Sequence, residues 1–216
     1  MIIGEIKVKR VYIDFDSTLY NTSAIKSVMN DIIADAVCEN TPNCDKNIVL
    51  QEIKEAKSQG VKSVSGLCSY FENRYNLKKD CIWSGFEDFL SKGEDLLYDD
   101  SIEFLQKLSQ KAYEVNILTY TSKEDYDYQM LKLKGAKISR FVDNIFICTK
   151  AKGELALDYE NAYFIDDNPK ELVSLFKAGV APDRLFRIKR AGAGYFDVSI
   201  NEFEAKEYSD FKNINI

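Results

Sequence analysis

Four aspartates, one threonine and one lysine are the residues in this chain best placed to do chemistry. Asp14-Phe15-Asp16-Ser17-Thr18-Leu19 continues an apolar run that begins at Val11. Ile117-Leu118 runs into Thr119, Ile147-Cys148 into Thr149-Lys150-Ala151-Lys152-Gly153, and Phe164-Ile165 into Asp166-Asp167-Asn168. If each apolar run is a parallel strand, these polar groups follow its carboxyl end, the edge at which open α/β sheets bind ligands. Four carboxylates gathered at one rim repel one another, and a hard divalent cation with oxygen ligands relieves the repulsion. Magnesium suits a site of carboxylates and phosphate. A phosphate monoester also needs positive charge and hydrogen-bond donors around its oxygens, which Thr119, the lysine and the metal would supply. The lysine is Lys152 or Lys150, with Lys152 favoured because it directly precedes Gly153 and a helical stretch. Asp166-Asp167 also fits a plain helix cap before Pro169, a residue suited to the first helical turn. The chain has no histidine, so the usual general base is missing and hydrolysis would rest on carboxylates, lysine or metal.

The elements that must position these groups are legible from periodicity. Residues 11–15, 115–118, 145–148, 162–165 and 185–188 are short and rich in Val, Ile, Phe and Tyr, the pattern of buried strands. Helical spacing separates most of them, over 101–110, 122–134 and 170–178, with Gly135 and Gly179 as stop signals for the last two. Strands alternating with helices predict a parallel sheet covered on both faces. Residues 21–97 break the rhythm. Ile25, Val28, Met29, Ile32, Ile33 and Val37 share one helical stripe, and 48–57, 64–75 and 82–90 read as further helices. An all-helical block of that length is too long for a loop and long enough for a small domain. The tail from Asp197 to Ile216 reads as a peripheral helix.

Composition narrows the partners. With 45% hydrophobic and 30% charged residues over 216 positions, the chain is ordinary globular protein. A formal net charge of −6 argues against a nucleic-acid partner. The basic clusters Lys132, Lys134, Lys137, Arg140 and Arg184, Arg187, Lys189, Arg190 read as solvated faces. Five cysteines, an odd count without a CxxC pair, argue against structural zinc and a disulfide framework; free thiols suit a reducing cytoplasm. The N-terminal segment does not read as a signal peptide, and no stretch has the length of a membrane span. Nothing in the sequence sets an oligomeric state.

The set DFDSTL, ILT, a lysine before Gly153 and FIDDNP resembles, in order and in its apolar lead-ins, the four motifs of the haloacid dehalogenase-like (HAD) superfamily. The resemblance covers about residues 8–20 and 97–190. It implies a Rossmann-like, doubly wound core over 1–20 and 98–216, with the first strand central and a helical cap inserted at 21–97. It also implies roles. Asp14 would attack phosphorus and become an aspartyl phosphate. Asp16 would protonate the leaving alcohol and then activate water. Thr119 would bond the transferring phosphoryl oxygens, and the lysine would hold the nucleophile and screen the phosphate. Asp14, the backbone carbonyl of Asp16, and one or both of Asp166 and Asp167 would bind Mg²⁺. Dehalogenases of the family lack an acid at the position of Asp16, so the expectation is a phosphatase. A cap that closes over the site favours a small phosphorylated metabolite. Arg74, Tyr70 and Lys62 are candidate cap contacts, whereas Phe71, Trp83, Phe86 and Phe89 read as cap core. A sugar phosphomutase and a non-catalytic binding module are the competing readings.

Overall fold

Continuous apolar runs of β-branched and aromatic residues suit strands buried on both faces. In the computed structural model, which describes residues 9–78, 80–157 and 161–216, they form a sheet of parallel strands. The strands are β1 (Arg10–Ile13), β2 (Glu114–Tyr120), β3 (Asn144–Cys148), β4 (Ala162–Asp166), β5 (Leu185–Ile188) and β6 (Lys206–Tyr208), in the order β3-β2-β1-β4-β5-β6. The helices are α1 (Thr22–Asn40), α2 (Lys46–Ser58), α3 (Val64–Arg74), α4 (Cys81–Leu90), α5 (Ser101–Gln110), α6 (Tyr126–Gly135) and α7 (Pro169–Lys177). From β1 the chain builds outward through β2 and β3, then returns to the other side of β1 for β4 to β6. This is the doubly wound, Rossmann-like core expected, and its switch point lies between β1 and β4. Ile13 is level with Ile117 on one side and Ile165 on the other, so Asp14 and Asp166 leave neighbouring strands at the same height.

The chain divides into two units. The first runs to Ser23 and continues over Leu97–Tyr120 and Ile138–Ile216. It holds the sheet. On one face α7 packs Leu172 and Leu175 against Tyr12, Leu118, Phe164 and Leu185. The tail differs from expectation: it contributes β6 beside β5 and buries Phe211 and Ile214. Phe211 stacks on Phe104 of α5 with ring centroids 4.4 Å apart, a contact that holds the tail without a helix.

The second unit comprises Ala24–Leu96 and Thr121–Lys137. Its core is Ile33 and Val37 of α1, Val49 and Ile53 of α2, Leu67 and Phe71 of α3, and Ile82, Phe86 and Leu90 of α4. Asp45 and Ser63 cap α2 and α3 through the amides of Asn47 and Gly66. The expected boundary assigned 121–137 to the α/β core. In the structure α6 packs among these helices instead, with Tyr128 edge-on to Phe86 at 5.7 Å. A Cβ on Gly135 would stand 1.9 Å from the Leu90 carbonyl oxygen, so glycine is what allows that close approach. Lys132, assigned above to a solvated face, is buried here.

A second departure concerns the thiols. Cys38 and Cys44 form a disulfide, because the reversal between α1 and α2 brings their Cα atoms to 5.0 Å. Cys68, Cys81 and Cys148 are free. The expected cap contact Arg74 is bonded to Glu52, which also accepts from the Tyr75 hydroxyl. Among the described residues, no helix is long and apolar enough to cross a membrane. The N-terminal residues on which the reading of no signal peptide partly rests lie outside the described residues.

Candidate active site

The β1 motif turns sharply after its strand. Asp14 still pairs in the sheet, its amide donating to the Ile165 carbonyl at 2.8 Å. Ser17 then takes a left-handed φ of 59° and its amide donates to the Tyr20 carbonyl, closing residues 15–20 into a tight loop. A left-handed serine is strained and persists only where its surroundings hold it. Here Thr22 does so. Its hydroxyl donates to Asp16 Oδ1 at 2.7 Å and accepts from the Ser17 amide at 3.2 Å. The Asp16 side chain is thereby fixed within the loop, while Asp14 is buried.

At the end of β4, the helix cap is Asn168, whose side chain accepts from the Lys170 amide. Asp166 and Asp167 are therefore not needed for capping. Asp166 Oδ1 accepts from the Asn168 amide at 2.8 Å and its Oδ2 from Lys152 Nζ at 2.6 Å. Lys152 Nζ also donates to Asp14 Oδ1 at 2.7 Å, so one ammonium ties the ends of β1 and β4 together. Lys150 is exposed, which settles the contact in favour of Lys152. The backbone places it: its amide donates to Glu171 Oε2 at 2.7 Å, and the next amide, of Gly153, to Ser174 Oγ at 3.0 Å. A Cβ on Gly153 would lie 2.1 Å from the Ser174 carbonyl oxygen, so only glycine lets this turn seat on α7.

Asp14, Asp166 and Asp167 offer carboxylate oxygens that all lie within 4.8 Å of one another. The carboxylate of Asp16 lies outside that group; its expected metal contact was through the backbone carbonyl. Thr119 is fully buried at the end of β2, two residues beyond Ile117, and so lies at the same edge. The structure thus brings Asp14, Lys152, Asp166 and Asp167 into one cluster, with Asp16 and Thr119 on adjoining segments.

The cluster has one positive charge, Lys152, for three carboxylates. Burial pushes the Asp167 carboxyl up to about 9, with Asp14 and Asp166 adding to the rise and Lys152 opposing it. Asp14 is raised for the same reason, burial first, against the pull of Lys152. For Lys152, burial favours the neutral form, but Asp14 and Asp166 outweigh it and hold the ammonium charged. One lysine among three buried carboxylates is a donor set that fits a hard divalent cation.

Sequence reasoning missed three supports: Thr22, Glu171 and Arg190. Arg190, like Arg187, was assigned to a solvated face, yet both are buried. For Arg187 a signal existed, an arginine inside an apolar strand. Arg190 Nε and Nη2 donate to the Thr18 carbonyl, both at 3.2 Å, and so anchor the β1 loop. Its guanidinium pairs with both oxygens of Asp100 at 2.7 and 3.0 Å and lies over the rings of Tyr98 and Phe211. Burial raises the Asp100 carboxyl, but its bonds from Arg190 and the Phe211 amide prevail and hold it below its usual range. Its contribution to stability is therefore present above the unfolded carboxylate range and disappears as pH falls through the folded value. Asp100→Ala strands a buried guanidinium, and a loss of about 3–5 kcal/mol is expected from denaturant unfolding at neutral pH. The deficit should shrink in acid.

No protein-family model and no curated protein matches the sequence. Solved structures do resemble it. A protein from Burkholderia xenovorans assigned as a haloacid dehalogenase-like hydrolase aligns with a TM-score of 0.70 at 15% identity over 94% of each chain. A HAD phosphatase from Thermococcus onnurineus gives 0.63 at 17% identity, again over 94% of each. A protein from Bacillus subtilis assigned as a HAD-hydrolase, bound to magnesium, gives 0.57 at 15% identity over 94% of this chain and 95% of its own. At these identities the likeness is one of fold: the chain has the haloacid dehalogenase-like fold.

Proposed function

We propose that this chain is a magnesium-dependent phosphohydrolase that cleaves a small phosphate monoester through a phosphorylated Asp14. The observation that carries the reading is Lys152, fully buried between Asp14 and Asp166 beside a third carboxylate. A fold does not need such a cluster for stability, since burying uncompensated carboxylates is costly. It is worth having where charge must be managed during a reaction.

Asp14 and Asp167 would be direct ligands of Mg²⁺, with Asp166 held alongside by Lys152 and the Asn168 amide. Asp167 suits the role because, among the described residues, its carboxylate accepts no hydrogen bond. Bound there, the cation would neutralise charge on the phosphoryl oxygens and on the carboxylates around them. Asp14 attacks phosphorus, the bond to the ester oxygen breaks, and Asp16 gives its proton to the departing alkoxide. Asp16, now a carboxylate, takes a proton from water, which attacks phosphorus and frees Asp14. Thr22 aims Asp16 for both transfers through its 2.7 Å bond. Lys152 lowers the repulsion between Asp14 and the incoming dianion, and Thr119 bonds a phosphoryl oxygen. Asp16 is also what favours a phosphate ester over a carbon–halogen bond, since a halide leaves without a proton. The helical unit would serve as a cap that restricts the site to small esters. Release of inorganic phosphate from a chromogenic aryl phosphate, dependent on magnesium and lost in Asp14→Asn, tests the proposal; equal rates in both proteins would refute it.

A further inference from the structure

The segment after β5 is fastened to the sheet unit at three points. Arg190 binds the Thr18 carbonyl. The Ser23 hydroxyl donates to the Gly192 carbonyl at 3.0 Å, and Gly192 has the left-handed φ of 79° that this turn requires. Arg187 Nη2 donates to the Tyr195 carbonyl at 2.6 Å. Arg187 is paired in register with Asp166, so the two side chains leave the same face of the sheet. Residues 190–195 therefore form a fixed arch, tied at one end to the loop behind Asp16 and at the other to the strand beside Asp166.

The end of this arch and the residues that follow it present apolar surface to solvent. Tyr195, Phe196 and Val198 are 37%, 39% and 44% exposed, three large apolar residues within four positions. Among the described residues, the Tyr195 hydroxyl has no hydrogen-bond partner. Burial raises the Tyr195 phenol, and the charges of Asp167, Asp166, Glu171 and Asp14 raise it further. An open aromatic ring on a segment whose backbone is tied to the strand beside Asp166 is a ready contact for a ligand.

We infer that Tyr195 is a specificity-determining residue whose ring packs against the leaving group, selecting phosphate esters of alcohols with a planar or apolar face over small polar ones. The inference rests on the phosphohydrolase reading for the position of the phosphoryl group, and it is tested by binding rather than turnover. Phenylphosphonate and methylphosphonate, titrated calorimetrically into the magnesium-loaded full chain, differ only in the group that would meet Tyr195. Wild type should bind phenylphosphonate roughly five- to tenfold more tightly, the range of one aromatic contact. Tyr195→Phe should keep that preference. Tyr195→Ala should lose it while methylphosphonate affinity stays within about twofold, with an unchanged unfolding midpoint showing that the fold is intact. A preference that survives in Tyr195→Ala overturns the inference, as does a wild type that binds the two equally or binds neither. If the preference appears but no ester is hydrolysed, the phosphohydrolase reading fails and the binding role of Tyr195 stands. If esters are hydrolysed without the preference, the reverse holds.

Discussion

Asp14→Asn is expected to lower magnesium-dependent phosphate release by roughly 10⁴-fold or more, the scale seen when a nucleophile is removed. The amide is close in shape to the carboxylate, so the tie to Lys152 Nζ at Asp14 Oδ1 can persist through the amide oxygen. What disappears is the negative oxygen that attacks phosphorus, together with one ligand charge of the metal. The fold should survive. Asp14 is held above its ordinary carboxylate range, burial being the main cause, so its charge is unfavourable in the metal-free protein. Removing that charge should leave the melting temperature unchanged or raise it. A variant that keeps its fold and loses turnover separates nucleophile from scaffold; one that keeps wild-type turnover would exclude Asp14 as the nucleophile.

Lys152→Met should be damaging in a different way. Methionine matches the length of the stem but leaves Asp14 and Asp166 facing each other with no cation between them. Breaking a buried ion pair by removing one partner costs about 3–5 kcal/mol. For a chain of this size, that corresponds to a fall of roughly 10 °C in melting temperature. Magnesium should narrow the gap, because a bound cation takes over part of the screening, and EDTA should widen it again. Turnover should fall by on the order of 10²–10³-fold even at saturating magnesium, since the metal alone does not hold Asp14 in line. A Lys152→Met protein with wild-type stability in EDTA would show that the ammonium does not relieve the carboxylates.

Much of this site is legible in the sequence because its parts are local. Each motif is a strand end plus two to four residues, and a parallel sheet forces those ends to one edge, so Asp14, Thr119, Lys152, Asp166 and Asp167 could be grouped from pattern alone. The seven helices of the described residues were legible for the same reason: nine or more residues of periodic burial, as in α1 and α5, carry their own signal. What stayed hidden depends on long-range contact. Arg190 reaches the Thr18 carbonyl across 172 positions, and nothing near Arg190 in the chain distinguishes it from a solvated arginine. Only tertiary packing draws the tail into β6, because Lys206–Tyr208 is three residues long and too short for a periodic signal. The disulfide escaped because an odd cysteine count was read as all free, whereas the reversal around Pro42 is what brings Cys38 to Cys44. Likewise α6 follows β2 in sequence, but its glycine fits against Leu90, and packing rather than chain order decides its unit.

If the proposal holds, Asp14, Asp166 and Asp167 together bind one divalent cation. Calorimetric titration of magnesium into the metal-free wild type and into Asp167→Asn examines this without any substrate. One site per chain in the wild type, weakened at least about tenfold in the variant, is the expected result. Wild-type protein that takes up no magnesium at millimolar concentration, or an isotherm that Asp167→Asn leaves unchanged, would contradict it.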